Sequence, residues 1–520
     1  MMLTGHNYIA GETSAEGSET FYSVEPRSKS RGEQAFTSAT EAEVARAAAA
    51  ALAARQQMRG FSSARIADLL DEIAVQIGAL GDDLLRTADR ETGLGLPRLT
   101  GERDRATGQI RAFAELLREG SYLRAIINSG PPSIRQMQFP LGPVAIFAAS
   151  NFPFAFAVAG GDSASALAAG CPIVVKAHPG HPATSELFAQ AMTAAVAAQG
   201  FPPGAFSMLQ GAGIDVGQWL AAQEAIEAVG FTGSLRGGRA IYDAAAARPR
   251  PIPVYAEMGS INPVVITQAA LAARSEAIAA GLVGSVTLGS GQFCTNPGLV
   301  LLEDSPASQD FIRNVSAKMG AAPAGVLLNE AVAAGLASAV GQTQANPQVS
   351  LLAGGEPSVG EAFSYENTVL QTRAAAIRAD QKLQTEHFGP VTLFVLCEDA
   401  EDLRATINAL EGNLTSTLHA EADEAVADLL SLLREKAGRV LWNDFPTGVA
   451  VVPAMQHGGP YPATTAPATT SVGTNAIYRF MRPIAFQNLP DALLPAPLQD
   501  ANPLGILRLV DGEYTQAPLV

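Results

Sequence analysis

From Val144 onward, short apolar runs alternate with alanine-rich stretches of helical period, and this alternation confines the chain to parallel βαβ architecture. A crossover helix can bury its apolar side only against a sheet face, so repeated units build an open parallel sheet covered on both sides. The strands of a first series are predicted at 144–149, 172–177, 206–210, 228–232 and 252–257. A second series follows near 263–266, 299–302, 391–396, 416–420 and 440–442, which implies a second α/β domain. Ahead of both, residues 41–117 read as helices interrupted near Gly81 and between Glu91 and Pro97. A chain of 520 residues also exceeds what one core supports, so two or three domains are expected.

Charge and cysteine usage exclude several classes of function. A formal charge of −16 repels nucleic acid and anionic membranes, and the only basic clusters, within 98–111 and 236–250, are short. Cys171, Cys294 and Cys397 lie far apart with no Cys-x-x-Cys spacing, which fits a reducing compartment and neither a disulfide framework nor a zinc site. Residues 1–10 lack a basic end followed by an apolar run, so a cytoplasmic location is expected. Residues 136–161 carry no charge and are long enough to span a bilayer, but Pro140, Pro143, Asn151 and Pro153 break them, and a buried strand and helix fit better. His178 and His181 are bracketed by Pro179 and Pro182, and no His-Glu-x-x-His occurs, so no catalytic metal is expected. Residues 461–471, rich in Pro, Ala and Thr, read as an ordered loop.

The chemistry-bearing segments fall at strand ends. Cys294 sits in Gly289-Ser290-Gly291-Gln292-Phe293-Cys294-Thr295-Asn296, and Glu257 ends the last strand of the first series. A thiolate attacks a carbonyl readily, and a carboxylate can afterwards activate the water that frees the product. A lone cysteine is more often a small buried hydrophobe, so Cys294 gains weight only from its company. Gly211 to Gly217 imitates a dinucleotide fingerprint with one residue too many before the third glycine, and a plain tight turn explains it equally well. Gly233, Ser234 and Gly238 follow a strand and open a helix, where they could hold a pyrophosphate. Asn151, with Phe152 and Pro153, could cap a helix or stabilise an oxyanion.

Taken together these segments resemble the aldehyde dehydrogenase superfamily from Gly5 to about Pro490, with the Asn-Phe-Pro motif at Asn151, the cofactor lysine at Lys176, the Gly-Ser-x-x-x-Gly motif at Gly233 to Gly238, and the Glu-x-Phe-Gly-Pro motif at Glu386 to Pro390. The resemblance implies an α/β fold with a Rossmann-type cofactor-binding domain at 1–120 and 142–258 and a catalytic domain at 259–478. It also implies a small β oligomerisation element at 121–141 and 479–510, and hence a homodimer or homotetramer. In the family mechanism Cys294 attacks the aldehyde, Asn151 and the Cys294 backbone N–H hold the oxyanion, hydride passes to NADP or NAD, and Glu257 activates water against the thioester. Glu386 and Phe388 would line the nicotinamide site. Relatives that pass the acyl group to coenzyme A typically lack the equivalent of Glu257, so its presence implies hydrolysis.

Two departures stand out. Many NAD-using relatives carry Glu three positions after the cofactor lysine, where this chain has Pro179; its loss admits a 2′-phosphate, which Arg236 or Lys176 could pair, so NADP is the expected cofactor. Gly160 stands where many relatives carry Lys. Residues 443–449, 457–464 and 470–474, with 99–103 and 109–111, resemble the 2-oxoglutarate semialdehyde (2,5-dioxovalerate) dehydrogenases, with NADP-linked long-chain fatty aldehyde dehydrogenases as the alternative. The small-molecule aldehyde would then carry a carboxylate that must be paired if buried. Arg105 and Gln109, one helical turn apart, could anchor it or lie on a solvated face, and His457 could touch substrate or only shape a loop. Two readings of another class remain: a catalytically silent structural or binding member of the fold, and a cofactor-free thiol hydrolase pairing Cys294 with His387 or His457.

Overall fold

The structure, a computed structural model, describes residues 2–519. All five predicted strands of the first series form, as parallel neighbours, in the spatial order Val254–Glu257, Ala228–Thr232, Val144–Phe147, Ile173–Lys176, Phe206–Leu209. Two N-terminal strands, Asn7–Ile9 and Glu12–Ser14, extend the sheet antiparallel to seven. The strand order reverses at Val144–Phe147: the next two strands lie on one side of it, and Ala228–Thr232 returns on the other. A crevice opens at such a reversal beyond the carboxyl ends of the strands, because the crossover helices diverge to opposite faces.

The second sheet runs Ser350–Ala353, Thr368–Arg373, Val391–Cys397, Leu299–Glu303, Val264–Ile266, Asn413–His419, Ala437–Trp442. Its first two strands lie outside the predicted series. Ser350–Ala353 is an exposed antiparallel edge without a core-facing pattern, and Gln371, Thr372 and Arg373 interrupt the apolar run of its neighbour. The helix Gln268–Thr287 begins the stretch that is, by length and composition alone, apolar enough to cross a membrane. Here Leu271, Ile278, Leu282 and Val286 pack in one core with Val264, Val300 and Phe394 of the sheet.

A third sheet joins Met481–Gln487, Ile134–Pro140, Ile126–Asn128, Arg508–Val510 and Glu513–Thr515. It thus continues past the expected end at 510.

The N-terminal helices are Glu41–Met58, Ser63–Ala79, Gly81–Thr92 and Leu96–Glu119, with breaks where glycine and proline place them. Gly93 and Gly120 close the last two in left-handed conformations. The helix Leu96–Glu119 buries Ile110, Phe113 and Leu117 in the core. Arg98, Glu102, Arg105 and Gln109, spaced by three or four residues, form a separate polar stripe on it.

The uncharged stretch 136–161 becomes two strands followed by turns, and the helix Gly161–Ala168 starts only at its end. Those turns fold back on Gly160. A Cβ there would lie 2.6 Å from the Ala155 carbonyl oxygen and 2.7 Å from the Ala157 nitrogen, which accounts for the absence of a lysine at this position.

Candidate active site

Glu257 ends the edge strand of the first sheet, and Cys294 follows the turn Leu288–Gly291 that leaves the helix Gln268–Thr287. Gly289, Ser290 and Gly291 are all left-handed (φ 56°, 57° and 67°), a run that glycine makes possible at both ends. Asn262 pins the thiol's own backbone: its Nδ2 donates to the carbonyls of Cys294 (2.8 Å) and Asn296 (2.9 Å).

Two residues from the C-terminal loops meet Glu257. His457 Nε2 lies 2.9 Å from Glu257 Oε1 and 3.5 Å from Cys294 Sγ, and Ser471 Oγ donates to Glu257 Oε2 at 2.5 Å. His457 therefore stands between nucleophile and carboxylate, closer to the chemistry than its sequence position could reveal, and Ser471 had no signal of its own. Burial pushes the Glu257 carboxyl up, but the facing His457 and the side-chain hydrogen bonds of His457, Ser471 and Cys294 outweigh it and hold the group below its ordinary value. Burial and then the Glu257 charge push the Cys294 thiol well up, while Arg105 acts in the opposite direction.

The donor atoms of Cys294, His457 and Glu257 lie within 4.8 Å of one another, close enough to ask whether they hold a metal. A carboxylate only accepts, so His457 donates to Glu257 through Nε2; Nδ1 is buried and has no hydrogen-bond partner among the described residues. A ligating histidine ordinarily donates its second N–H to a fixed acceptor, and none is present among the described residues, so this group fits proton chemistry and not a resident metal. His387, the other histidine considered beside Cys294, is turned away to Thr343 Oγ1 at 2.9 Å.

Asn151 caps no helix, since turns follow it. Its Nδ2 donates to the Gln292 carbonyl at 3.0 Å, and its second amide hydrogen has no acceptor among the described residues; Asn151 and Cys294 line the same cleft. Phe152, Phe156 and Phe293 cluster here, with Phe152 edge-on to the other two at 5.3 Å. Arg105 lies over Phe156 (5.2 Å) and Phe152 (6.0 Å). Its Nη1 and the Nε2 of Gln109 are buried without hydrogen-bond partners among the described residues, so the pair is not on a solvated face.

From Cys294 a cleft of about 970 Å³ runs out over the strand-order reversal of the first sheet. Lys176, Gly233, Ser234, Arg236, Glu386 and Phe388 all line it, as do Ala212, Gly213, Ile214 and Gly217 of the imperfect fingerprint. Ser234 caps the helix Leu235–Ala246, accepting from Gly237 N at 3.2 Å. Gly238 serves packing: a Cβ there would meet Met258 Cγ at 2.6 Å. Lys176 donates to the Gly211 carbonyl at 2.6 Å, and burial lowers its pKa to about 8. Burial, with a contribution from the Glu257 charge, raises Glu386 to about 7. A long cleft at a topological switch point, with a helix N-terminus and two cations along it and a carboxyl near the thiol, fits a dinucleotide.

The chain belongs to the aldehyde dehydrogenase family, whose pattern it matches over residues 13–462. Similar to it are alpha-ketoglutaric semialdehyde dehydrogenase 2 of Azospirillum brasilense, at 47% identity over 99% of this chain and all of that one, and an alpha-ketoglutaric semialdehyde dehydrogenase of Acinetobacter baylyi, at 42% over 98% and 99%. In fold it matches a Staphylococcus aureus betaine aldehyde dehydrogenase variant solved with NAD+, with a TM-score of 0.82 and 20% identity over 94% of this chain and 97% of that one. A point variant of Thermus thermophilus 1-pyrroline-5-carboxylate dehydrogenase matches with a TM-score of 0.80 and 22% identity over 93% and 92%. The chain is thus an oxidoreductase of a family that uses NAD(P), and the readings as a silent binding protein or a cofactor-free hydrolase fall away.

Proposed function

We propose that this enzyme oxidises 2-oxoglutarate semialdehyde to 2-oxoglutarate. The observation that carries the reading is the polar stripe behind the aromatic cluster. Arg98 and Arg105 face a single carboxylate, Glu102, whose Oε1 accepts from the backbone N–H groups of Phe154 (2.8 Å) and Ala155 (3.0 Å). Within the stripe two guanidiniums meet one carboxylate, an excess of one positive charge near Cys294. Arg105 Nη1 and Gln109 Nε2 supply donors for a carboxylate at the far end of a short aldehyde, whereas a long-chain aldehyde would leave charge and donors unpaired.

In the proposed reaction Cys294 passes its proton to water in the cleft and attacks the aldehyde carbon as a thiolate, and the thiohemiacetal oxyanion is held by Asn151 Nδ2 and the Cys294 backbone N–H. A nicotinamide bound in the cleft would supply the hydride acceptor for oxidation of this adduct to a thioester. Lys176, Ser234 and Arg236, which line the cleft, would hold the outer part of that cofactor, and Glu386 with Phe388 its inner part. Glu257, kept ionised by His457 and Ser471, takes a proton from the water that attacks the thioester, and the acid departs with Cys294 restored. Once Glu257 has lost that proton again, the new carboxylate beside it is repelled, which favours release.

NADP is the preferred cofactor in this reading, because Lys176 and Arg236 bring cationic side chains to the cleft and Pro179 replaces the carboxylate that would oppose a 2′-phosphate. The third sheet, with Met481–Gln487 at its open edge, is where a second copy would join to form a homodimer or homotetramer. The test is steady-state formation of reduced cofactor from 2-oxoglutarate semialdehyde and from a long-chain aldehyde, each with NADP and NAD. Higher kcat/KM for the semialdehyde supports the proposal, and a preference for the long-chain aldehyde refutes it. Light scattering reads the assembly.

A further inference from the structure

We infer that Arg98 is a positioning residue for the oxidation, joining the Asn151 loop to the Cys294 loop so that the oxyanion pocket between them is formed before substrate arrives. The inference rests on Asn151 acting as the oxyanion donor proposed above, and not on the identity of the aldehyde.

Arg98 belongs to neither loop. It stands in the first turn of the helix Leu96–Glu119, and its guanidinium lies beside the rings of both Phe152 (5.0 Å) and Phe293 (4.7 Å), which meet edge to face at 5.3 Å; these are the residue after Asn151 and the residue before Cys294. Its Nη2 donates to the Asn151 carbonyl at 2.8 Å. On the Cys294 side, a Cβ at Gly289 would come within 2.5 Å of Arg98 Nη1, so the missing side chain at 289 makes room for the cation. One turn along the helix, Glu102 takes the N–H groups of Phe154 and Ala155. The helix therefore grips the loop at both ends, by a carbonyl at Asn151 through Arg98 and by two amides through Glu102. The Asn151 side chain in turn spans to the Cys294 loop through the Gln292 carbonyl, with one amide hydrogen left for the oxyanion.

A donor fixed in place before charge develops needs no reorganisation when the carbonyl becomes an alkoxide, and that is where such donors have their effect. The broad guanidinium of arginine can touch both rings and still donate to the Asn151 carbonyl; a lysine ammonium keeps the charge as a compact point without that planar reach.

The test uses the intact enzyme with NADP, two variants, Arg98→Met and Arg98→Lys, and two aldehydes, 2-oxoglutarate semialdehyde and uncharged propanal. Loss of preorganisation should lower kcat about tenfold or more on both aldehydes, with little change in KM for propanal, and lysine should not restore it. In an Asn151→Ala background the Arg98 substitution should cost no more than about threefold further, because both act on one donor. Alkylation of Cys294 by iodoacetamide, which develops no oxyanion, should stay within about threefold of the parent rate. A defect confined to KM for the semialdehyde would make Arg98 a substrate anchor only. Full additivity with Asn151→Ala, or a parallel fall in alkylation, would also overturn the inference. A parent enzyme that prefers another aldehyde would sink the substrate assignment, while the propanal measurements would still judge Arg98.

Discussion

Arg105→Ala tests the proposed substrate most directly. The guanidinium Nη1 is buried with no hydrogen-bond partner among the described residues, and the side chain rests on Phe156 next to His457. Removing it takes the net charge of Arg98, Glu102 and Arg105 from one positive to zero, so the substrate carboxylate would enter an apolar, aromatic setting without a cationic partner. A hydrogen bond to a charged group contributes about 1.5–3 kcal/mol, and each 1.36 kcal/mol is a factor of ten. The expected loss in kcat/KM for 2-oxoglutarate semialdehyde is therefore about 10- to 150-fold, carried mainly by KM because the carboxylate is bound alike in ground and transition states. Propanal, which carries no charge, should change by no more than about twofold. Arg105→Lys should recover part of the loss, since it restores charge without the bidentate fork. The assay is initial-rate formation of reduced cofactor with both aldehydes on each variant, with melting curves to confirm folding. An unchanged KM for the semialdehyde, or an equal loss on propanal, would refute the anchoring argument.

Three further outcomes follow from the site. Glu257→Gln should still form the thioester but hydrolyse it slowly, giving a rapid burst of reduced cofactor near one per site and then a low steady rate; loss of the burst itself would place Glu257 in the first half of the reaction. In His457→Phe the burial of Glu257 is opposed by the Ser471 and Cys294 hydrogen bonds and the Arg105 charge alone, while Glu386 acts with burial, so its carboxyl should rise. Because the base works ionised and loses activity as pH falls through its pKa, the acid limb of the kcat profile should move to higher pH, and an unmoved limb would assign the hold to those remaining partners. Gly160→Ala drives a methyl into the backbone of Ala155 and Ala157, which should destabilise the protein by about 1–3 kcal/mol and lower its melting temperature.

Much of this architecture is legible in the chain. Most strands of the two parallel sheets are predicted within a few residues because burial on both faces writes a continuous apolar run, whereas Thr368–Arg373 is missed because Gln371, Thr372 and Arg373 interrupt its run. Asn151, Glu257, Cys294, Lys176, Ser234 and Glu386 are identifiable because each stands in a short segment where glycine or proline sets the backbone. The exposed edge strands Ser350–Ala353 and Glu12–Ser14 carry no continuous apolar run, and Asn7–Ile9, though paired on both sides, is only three residues long, too short to show one. The Arg98, Glu102, Arg105, Gln109 spacing is present in the sequence, yet only its second half, Arg105 and Gln109, points to a substrate contact there. Helical period shows that four side chains share a face, not what that face meets.

Sequence alone determined the strand and helix order, the glycine turns and the identity of the thiol and carboxylate, because these depend on local periodicity and backbone freedom. Only the tertiary structure brought His457 and Ser471, about two hundred residues along the chain, onto Glu257, and set Arg98 between the loops of Asn151 and Cys294. Such contacts arise when loops from separate sheets converge, and their partners are chosen by packing across the whole core, which no local spacing records.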